Sequence, residues 1–234
     1  MHKFGALEKF DLKLEEMFNV KELPENHPEG TTGGHVLSCL KFLDAYFSLF
    51  PHKKQAAVYW AVLYHDIGKV FTNEYTGHFY GHDVSGANHI KANLCFPIKN
   101  KETKTLIEVV AEHHMRFSHW NQMKPGKRVD MVSKELRGHI LGFIIACVAD
   151  WYGRNDITLD EIDIGFIHKM ICYLCYQMMF IRDIVKNTKF KSKDECNRIK
   201  PEKRGAILRD KAITHYVRLA GSNSSLEGLT TGLL

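Results

Sequence analysis

At residues 64–69 the chain reads Tyr64-His65-Asp66-Ile67-Gly68-Lys69, directly after an apolar segment that begins near Gln55. The apolar segment is typical of a buried helix, and Gly68 is well placed to end it. Adjacent residues inside a helix point about 100° apart, so both members of the His-Asp pair can reach one ion only from a favourable side or near a helix end. The stretch therefore predicts two metal donors at the end of a buried helix.

The remainder of the chain predicts further helices separated by short breaks. Apolar residues recur near the helical period over 7–18, and a turn rich in proline and glycine precedes a helix at 34–49 that Thr31 or Thr32 can cap. Other helices are predicted at 55–66, 82–94, 104–115, 132–152, 159–186 and 201–219, with irregular connections at 72–81 and 121–128. No alternation long enough for a sheet occurs, so the predicted fold class is all-α, a helical bundle.

Composition places the chain among ordinary globular proteins. It has 234 residues, of which 44% are hydrophobic and 25% are charged, enough for one compact domain with tails. Residues 1–10 lack the apolar core of a secretory signal, and no uninterrupted apolar run is long enough to span a membrane. The six cysteines form no disulfide framework and are interpreted as reduced. We therefore expect a cytoplasmic location and no membrane contact.

Positive charge is concentrated near the C-terminus. The net charge of +5 is modest, but most of the charged side chains in 182–218 are lysine or arginine. Such a run is usually a solvated helical face, and the less favoured interpretation is a surface that contacts nucleic acid. We predict a basic helical segment at 188–220, followed by a flexible tail at 221–234.

Candidate metal ligands lie on both sides of the His-Asp pair. Imidazole nitrogens and carboxylate oxygens bind iron, manganese, nickel, cobalt and zinc, and magnesium also accepts carboxylates, so the ligand types leave the metal open. One ion would be held by His35, His65, Asp66 and Asp150, and a second ion, bridged through Asp66, by His82 and His113. His114 directly follows His113, and the sequence leaves open which of the two is the ligand.

The order of these residues resembles the HD-domain superfamily of metal-dependent phosphohydrolases, whose pattern is H…HD…D. His35, the 65–66 pair and Asp150 match that pattern in order, and the resemblance covers about residues 27–155. His82 and His113 look like the additional histidines of dinuclear members. The resemblance implies an all-α HD-domain bundle that binds one or two divalent metal ions.

The closest local likeness is to the HD domain of bacterial tRNA nucleotidyltransferases and poly(A) polymerases. It is carried by His27-Pro28-Glu29-Gly30, by the 64–69 run and by Phe79-Tyr80-Gly81-His82-Asp83. We therefore predict an HD domain at 27–187, after an N-terminal helix and loop at 1–26. Only about thirty residues precede the HD region in this sequence, so we do not expect nucleotide addition.

The resemblance implies a hydrolysis in which a metal-activated water attacks phosphorus. Asp66 would ligate or bridge the metal and orient the water, and Lys69 could reach a phosphate of the substrate. Lys69 fits equally well as a cation that complements the helix dipole. Arg116 and Arg154 are further candidates for phosphate contact, because a guanidinium binds phosphate through two parallel hydrogen bonds. The predicted substrate is a nucleotide or an RNA-derived phosphoester.

Two alternatives remain open at this stage. Some HD-fold proteins with a similar set of six ligands hold two irons and use dioxygen to cleave carbon bonds, so a mixed-valent di-iron oxygenase is the first. The second is a module that binds RNA through the basic C-terminal segment and uses the metal for structure only. The completeness of the ligand set argues against the second alternative.

Overall fold

The structure is a computed structural model, and it describes residues 11–23, 25, 28–72, 78–93, 98–154 and 162–221. Over these residues the regular secondary structure is helical, and their one β-type pairing is an isolated bridge between Lys21 and Thr31. The predicted all-α class is confirmed. Two compact units are formed by the described residues of Met1–Ser118 with Leu141–Ile171 and of His119–Ile140 with Cys172–Leu234. The segment boundaries drawn from the sequence at 26, 187 and 220 stay a prediction.

Most helices of the described residues lie where the sequence pattern predicts them. They are α1 (Leu12–Phe18), α2 (Thr32–Leu49), α3 (Gln55–Tyr64), α4 (His82–Asn93), α5 (Lys101–Phe117), α6 (Pro125–Asp130), α7 (Ile140–Gly153), α8 (Ile164–Asn187), α9 (Lys193–Asn197) and α10 (Pro201–Gly221). Short 3₁₀ helices cover Ile67–Phe71 and Trp120–Gln122, and a π-helical turn covers Met131–Glu135. The predicted starts of the helices at 7–18 and 159–186, and residues 222–234 of the flexible tail predicted at 221–234, lie outside the described residues.

The chain reverses direction between α1 and α2, so the segment after α1 lies beside the residues that precede α2. The N–H of Glu22 donates to the carbonyl of Gly30 at 3.1 Å, so the two segments lie side by side. Thr31 then caps α2, because its hydroxyl accepts the N–H of Gly34 at 3.0 Å. This confirms the cap predicted from the sequence. Its consequence is that the carboxylate of Glu22 is buried close to the first turn of α2.

Two glycines allow the 3₁₀ helix after α3 to contact α4 directly. A Cβ atom at Gly68 would lie 1.8 Å from the carbonyl oxygen of His82 and 2.6 Å from the nitrogen of Gly86. A Cβ atom at Gly86 would in turn lie 3.0 Å from the nitrogen of Gly68. Backbone therefore meets backbone at this point, which only glycine permits. The contact brings the residues that follow α3 next to the first residue of α4.

Helix α7 supplies much of the core of its unit. Its residues from Phe143 to Ala149 are all buried, which matches the continuous apolar run in the sequence. Near its end, a Cβ atom at Gly153 would lie 2.3 Å from the sulfur of Cys39, so α7 approaches α2 closely there. A helix that is apolar on every side is typical of a position inside a core. Asp150 is thereby carried into the interior on the last turn of α7.

The prediction of one helix over 132–152 is wrong. The chain instead forms the π-helical turn, breaks, and starts α7 only at Ile140. Arg137 and Gly138 both adopt the left-handed backbone region, with φ of 47° and 85°, and an α-helix cannot continue through that region. The connection predicted as irregular at 121–128 also contains helical structure, because Pro125 begins α6.

The second unit packs α6 against α10 through arginine side chains. The Arg128 Nε donates to the carbonyl of Trp120 at 3.0 Å, and its Nη1 donates to the hydroxyl of Tyr216 at 3.2 Å. Arg209 donates two hydrogen bonds to the carboxylate of Asp130, at 2.7 and 2.5 Å. These bonds lower the pKa of Asp130 to about 2. Part of the basic C-terminal segment is therefore used inside its own unit.

Helix α8 is, among the described helices, the one that could cross a membrane by length and composition alone. Buried residues recur along it at spacings of three and four, among them Ile167, Ile171, Leu174, Met178 and Ile181. Arg182 and Asp183 are exposed on the other side. One buried stripe with charged residues opposite is typical of an amphipathic core helix. The absence of membrane contact stays a prediction.

We expect the substitution Gly68→Ala to destabilise the fold by more than about 3 kcal/mol, because the added methyl would overlap backbone atoms that cannot move aside cheaply. The matched control is Gly205→Ala on α10, where a Cβ atom meets nothing within 4 Å. That control should stabilise the protein by up to about 1 kcal/mol. Urea denaturation followed by circular dichroism measures both changes. Equal stability of the two variants would contradict the close contact between the 3₁₀ helix and α4.

Candidate metal centre

The His-Asp pair lies where α3 ends and the 3₁₀ helix begins. His65 is the last residue with helical backbone angles, and Asp66 departs from them with φ −103° and ψ 9°. The change of direction brings the His65 Nε2 within 3.2 Å of the Asp66 Oδ2, although the two residues are adjacent. This is the geometry that the sequence predicts for the pair, with both donors directed to one place.

Three residues from three helices form a first group of ligand atoms. His35 lies in the first turn of α2, His65 follows α3, and Asp150 lies in the last turn of α7. The Asp150 Oδ1 is 3.0 Å from the His35 Nε2 and 3.5 Å from the His65 Nε2. All three side chains are buried, and their ligand atoms lie within 4.8 Å of one another. This group is named the first triad.

A second group lies on the other side of Asp66. The His82 Nε2, at the start of α4, is 3.2 Å from the Asp66 Oδ1, and the His114 Nε2, on α5, is 3.5 Å from the same oxygen. These three side chains are also buried, with ligand atoms within 4.8 Å of one another. They are named the second triad. One oxygen of Asp66 faces each triad, which is the arrangement expected of a bridging carboxylate.

Every histidine of the two triads turns its Nδ1 away from the centre. The Nδ1 partners are the carbonyl of Val62 for His65 at 2.7 Å, the carbonyl of Phe79 for His82 at 2.7 Å, the carbonyls of Val110 and Ala111 for His114, both at 3.1 Å, and the Glu29 Oε1 for His35 at 3.4 Å. A carbonyl accepts only, so each such bond places the ring proton on Nδ1. The Nε2 lone pairs then point into the centre, as in histidine ligands of metals.

The donor atoms of the two triads are better arranged to bind a metal ion than to form hydrogen bonds with one another. The His65 Nε2 and the Asp66 Oδ1 are among the buried side-chain atoms without a hydrogen bond in the described part of the chain, and the Asp66 Oδ2 is paired with the Lys69 ammonium at 2.9 Å. The His82 and His114 Nε2 atoms face each other at 3.2 Å, and both carry lone pairs there. Ligands about 2.1 Å from one ion lie about 3.0 to 3.4 Å apart, in line with the separations of 3.0 to 3.5 Å. Cations between these atoms would satisfy all of them.

The charges of the centre also favour a cation. Burial raises the pKa of Asp66, but without metal a protonated His65, whose own pKa Asp66 and Asp150 raise to about 10 despite its burial, and Lys69 outweigh that effect and hold the pKa of Asp66 well below its usual range. Burial raises the pKa of Asp150 as well, and Arg154 is the main group that brings it below its usual range. Burial lowers the pKa of His114, which favours the neutral ring that can ligate. Two buried carboxylates are therefore ionised at neutral pH.

The structure corrects the choice made within the histidine doublet. His113 was predicted as a ligand, but the residue that joins Asp66 and His82 is His114. Neighbouring residues on a helix point about 100° apart, so only one member of a doublet can face a given site. His113 is buried on α5 as well, and it belongs to neither triad.

Lys69 is held beside the centre by two buried carboxylates. Its Nζ is 2.6 Å from the Glu22 Oε1 and 2.9 Å from the Asp66 Oδ2. The same Glu22 oxygen accepts the hydroxyl of Thr32 at 2.5 Å. Lys69 is only 4% exposed, so it is no loose helix-end cation on the surface. Glu22 was not among the predicted site residues, because no motif or spacing in its segment marks it.

A cavity of about 770 Å³ opens onto this centre. Asp66, Lys69, His82 and Arg154 are among the residues that line it. The Nε and Nη2 of Arg154 donate to the two oxygens of Asp150 at 3.0 and 2.8 Å, so this arginine joins the first triad to the cavity wall. Arg116, the other arginine predicted to contact substrate, does not line this cavity.

The family model of the HD domain matches residues 32–154. The chain belongs to the HD-domain family. This confirms the resemblance drawn from the sequence, and the matched range contains all members of both triads together with Lys69 and Arg154. Glu22 lies outside the match.

Relatives of this HD-family chain include proteins named Multifunctional CCA protein. The one from Pseudomonas savastanoi pv. phaseolicola is 31% identical over 162 residues, covering 66% of this chain and 38% of the relative. The one from Pseudomonas aeruginosa is 30% identical over 135 residues, covering 56% of this chain and 31% of the relative. The chain thus spans about a third of the length of these relatives. No solved structure matches it significantly.

We expect His114→Ala to weaken the binding of a divalent metal at the second triad by more than about 100-fold, because it removes a donor atom outright, whereas loss of a group that only orients a ligand costs about 10- to 100-fold. The control is the neighbouring His113→Ala, which should leave the stoichiometry and affinity within about threefold of wild type, inside the usual scatter for a residue that donates no ligand atom. Titration calorimetry and elemental analysis with manganese or zinc measure both. A larger loss in the His113 variant would reverse the assignment within the doublet.

Proposed function

We propose that this chain is a metal-dependent phosphohydrolase that acts on a nucleotide or an RNA-derived phosphoester. The observation that carries the proposal is the pair of buried triads that share Asp66 beside a cavity. Membership of the HD-domain family supports it further. Lys69 and Arg154 line the same cavity, which gives a phosphate group cationic side chains on the walls as well as a metal site.

Metal ions at the two triads would polarise a phosphoryl oxygen and activate a water molecule for attack on phosphorus. The ligand types suit iron, manganese, cobalt, nickel or zinc, and carboxylates also accept magnesium. The role proposed for Asp66 is to join the two triads through its two oxygens, so that their separation is set by one rigid group. The Nδ1 anchors of the histidines keep the donor atoms in place before substrate arrives.

The proposed role of Lys69 is to balance charge beside Asp66 and to face an oxygen of the phosphate. Its ammonium has three N–H groups, of which two are directed at Glu22 and Asp66 by the distances of 2.6 and 2.9 Å. Since Lys69 lines the cavity, the remaining N–H is available to a ligand there. Glu22 acts through Lys69, as a positioning residue that Thr32 holds in turn.

The proposed role of Arg154 is to fix Asp150 and to present positive charge to the cavity. A guanidinium has five N–H donors in one plane, and Asp150 uses only the Nε and Nη2 side. The aspartate is thereby held with its Oδ1 toward His35. The proposed part of Arg154 is electrostatic. The attacking group in the proposal is a water molecule, so no protein nucleophile is needed.

Contact with nucleic acid through the basic C-terminal segment, and a cytoplasmic location, belong to the same proposal. The relatives named Multifunctional CCA protein support a ligand of the nucleotide or RNA class. Arg209 and Lys211 are engaged by Asp130 and Glu195, so a nucleic acid would meet the other cations of the segment. Transfer of nucleotides is no part of the proposal, which concerns the HD region alone.

The first test is hydrolysis by metal-loaded protein under anaerobic conditions, with mononucleotides, nucleoside 2′,3′-cyclic phosphates and dinucleoside polyphosphates as substrates. We expect Asp66→Asn to lower kcat/KM by more than about 100-fold, beyond the effect usual for a residue that only orients a ligand. The matched control is Asp83→Asn, which removes another acid of the same cavity and should act within about threefold of wild type, because Asp83 belongs to neither triad.

Three outcomes would count against the proposal. Full turnover by the Asp66→Asn protein would show that hydrolysis occurs elsewhere. Consumption of dioxygen with a mixed-valent iron signal, and no anaerobic release of phosphate, would favour the di-iron oxygenase instead. RNA binding that weakens with salt, without hydrolysis of any substrate, would favour the binding module with a structural metal.

A second test concerns Glu22. We expect Glu22→Gln to lower kcat/KM by about 10- to 100-fold, because a neutral amide holds the ammonium of Lys69 less firmly beside Asp66. The loss should appear with metal stoichiometry unchanged, since Glu22 belongs to neither triad. The control is Glu25→Gln, which lies on the wall of the same cavity and should stay within about threefold of wild type. Loss of bound metal in the Glu22 variant would show a purely structural role.

A further inference from the structure

The rim of the cavity carries an aromatic side chain that the proposed hydrolysis does not use. Tyr80 is 83% exposed, more than any other large hydrophobic side chain of the described residues. It lines the same cavity as Asp66, Lys69 and His82. A single exposed aromatic side chain on a surface needs no explanation. An exposed ring beside a candidate phosphate site, however, is positioned to contact a ligand whose phosphate binds there.

The backbone that carries Tyr80 is held firmly although its ring is exposed. The N–H of His82 donates to the carbonyl of Phe79 at 3.2 Å, and the His82 Nδ1 donates to the same oxygen at 2.7 Å. Gly81 provides the left-handed turn between them, with φ 78°. Phe79 is buried, with the Lys69 ammonium 5.6 Å from its ring centre. The turn thus directs Phe79 and His82 inward and Tyr80 outward.

This turn keeps the backbone of Tyr80 close to that of His82, a member of the second triad. Tyr80 and His82 are two residues apart, so their Cα atoms are separated by no more than about 7.6 Å. The ring of His78 lies beside that of Tyr80, with centroids 5.6 Å apart and planes inclined by 33°. Two exposed rings therefore stand next to a candidate metal ligand. A nucleotide carries a flat aromatic group and a phosphate joined by one sugar, so it has a group for the aromatic rim and a group for the metal centre of the same cavity.

The charges of the cavity favour a ligand with few phosphates. Its lining contains the acids Glu22, Glu25, Asp66 and Asp83 against the cations Lys69 and Arg154. The walls without metal are therefore acidic, and a phosphate gains attraction mainly at the metal centre and its two cations. A long polyanion would bring further phosphates against the acids of the rim. A single nucleotide avoids this repulsion.

We propose that Tyr80, with His78, forms a nucleobase-binding subsite, and that the ligand is a single nucleotide whose base stacks on Tyr80 while its phosphate faces the triads. This inference rests on the proposed function, whose substrate class it narrows. Every base has a flat face, so stacking on tyrosine recognises nucleotides without selecting one base. Recognition of the base and of the phosphate then involves different residues, which can be changed separately.

The experiment measures binding rather than turnover. Metal-loaded protein is titrated with a phosphonate analogue of adenosine monophosphate, whose P–C bond resists hydrolysis, and with the matching ribose phosphonate that lacks the base. Wild type should bind the analogue with the base about 5- to 150-fold more tightly. Tyr80→Ala should bind the two analogues equally, and Tyr80→Phe should retain the preference. Tyr176→Ala, which removes an exposed tyrosine elsewhere, should behave as wild type.

The outcomes separate this inference from the proposed function. If the protein hydrolyses phosphoesters but Tyr80→Ala keeps the full preference for the base, the subsite is refuted and the hydrolase stands. If no substrate is hydrolysed but the preference depends on Tyr80, the subsite stands without the hydrolase. Binding of neither analogue would overturn the subsite. Tighter binding of a single-stranded oligoribonucleotide than of the mononucleotide analogue, with an advantage that Tyr80→Ala abolishes, would show that the ligand of this cavity is a strand.

Discussion

One buried carboxylate, that of Asp66, is the constraint on which the unit around it depends. An ionised carboxylate in a protein interior is unfavourable unless charges or hydrogen bonds compensate it. Here Lys69 at 2.9 Å supplies part of the compensation, and metal ions held between the carboxylate and the imidazole nitrogens, which lie 3.2 to 3.5 Å from it, would supply the rest. These groups come from four different elements, and each must arrive at the same point. The same interactions around Asp66 therefore determine both how these elements pack and how the site is arranged.

Most of the centre could be predicted because its residues stand at helix ends that leave local signals. His35 follows a threonine cap, the His-Asp pair precedes Gly68, and His82 begins a helix after Gly81. The choice between His113 and His114 could not be predicted, because it depends on how α5 is rotated against its neighbours. Both residues carry the same ring, and only tertiary packing decides which one faces Asp66.

Other features escaped the sequence for similar reasons. Glu22 lies far from Lys69 along the chain, and only the return of the backbone from α1 to α2 brings their side chains together. The break before α7 had a local signal in Gly138, but the apolar pattern on either side of it favoured one continuous helix. Periodicity detects helices well, but a break in a helix changes only one or two positions of the apolar pattern and is therefore hard to detect. The all-α class itself followed from the absence of sustained alternation, which does not depend on any single break.

The hydrogen bonds that fix the histidine rings also affect how the centre binds metal ions. Three of the four rings are fixed by carbonyls three or four residues earlier in their own segment of chain. The direction of each donor atom is thus decided by its own helix turn, and it needs no metal to establish it. The orientation of these donor atoms therefore rests on the backbone as well as on any bound metal. Imidazole and carboxylate accept most first-row divalent metals, so the ligand types by themselves select little among these ions.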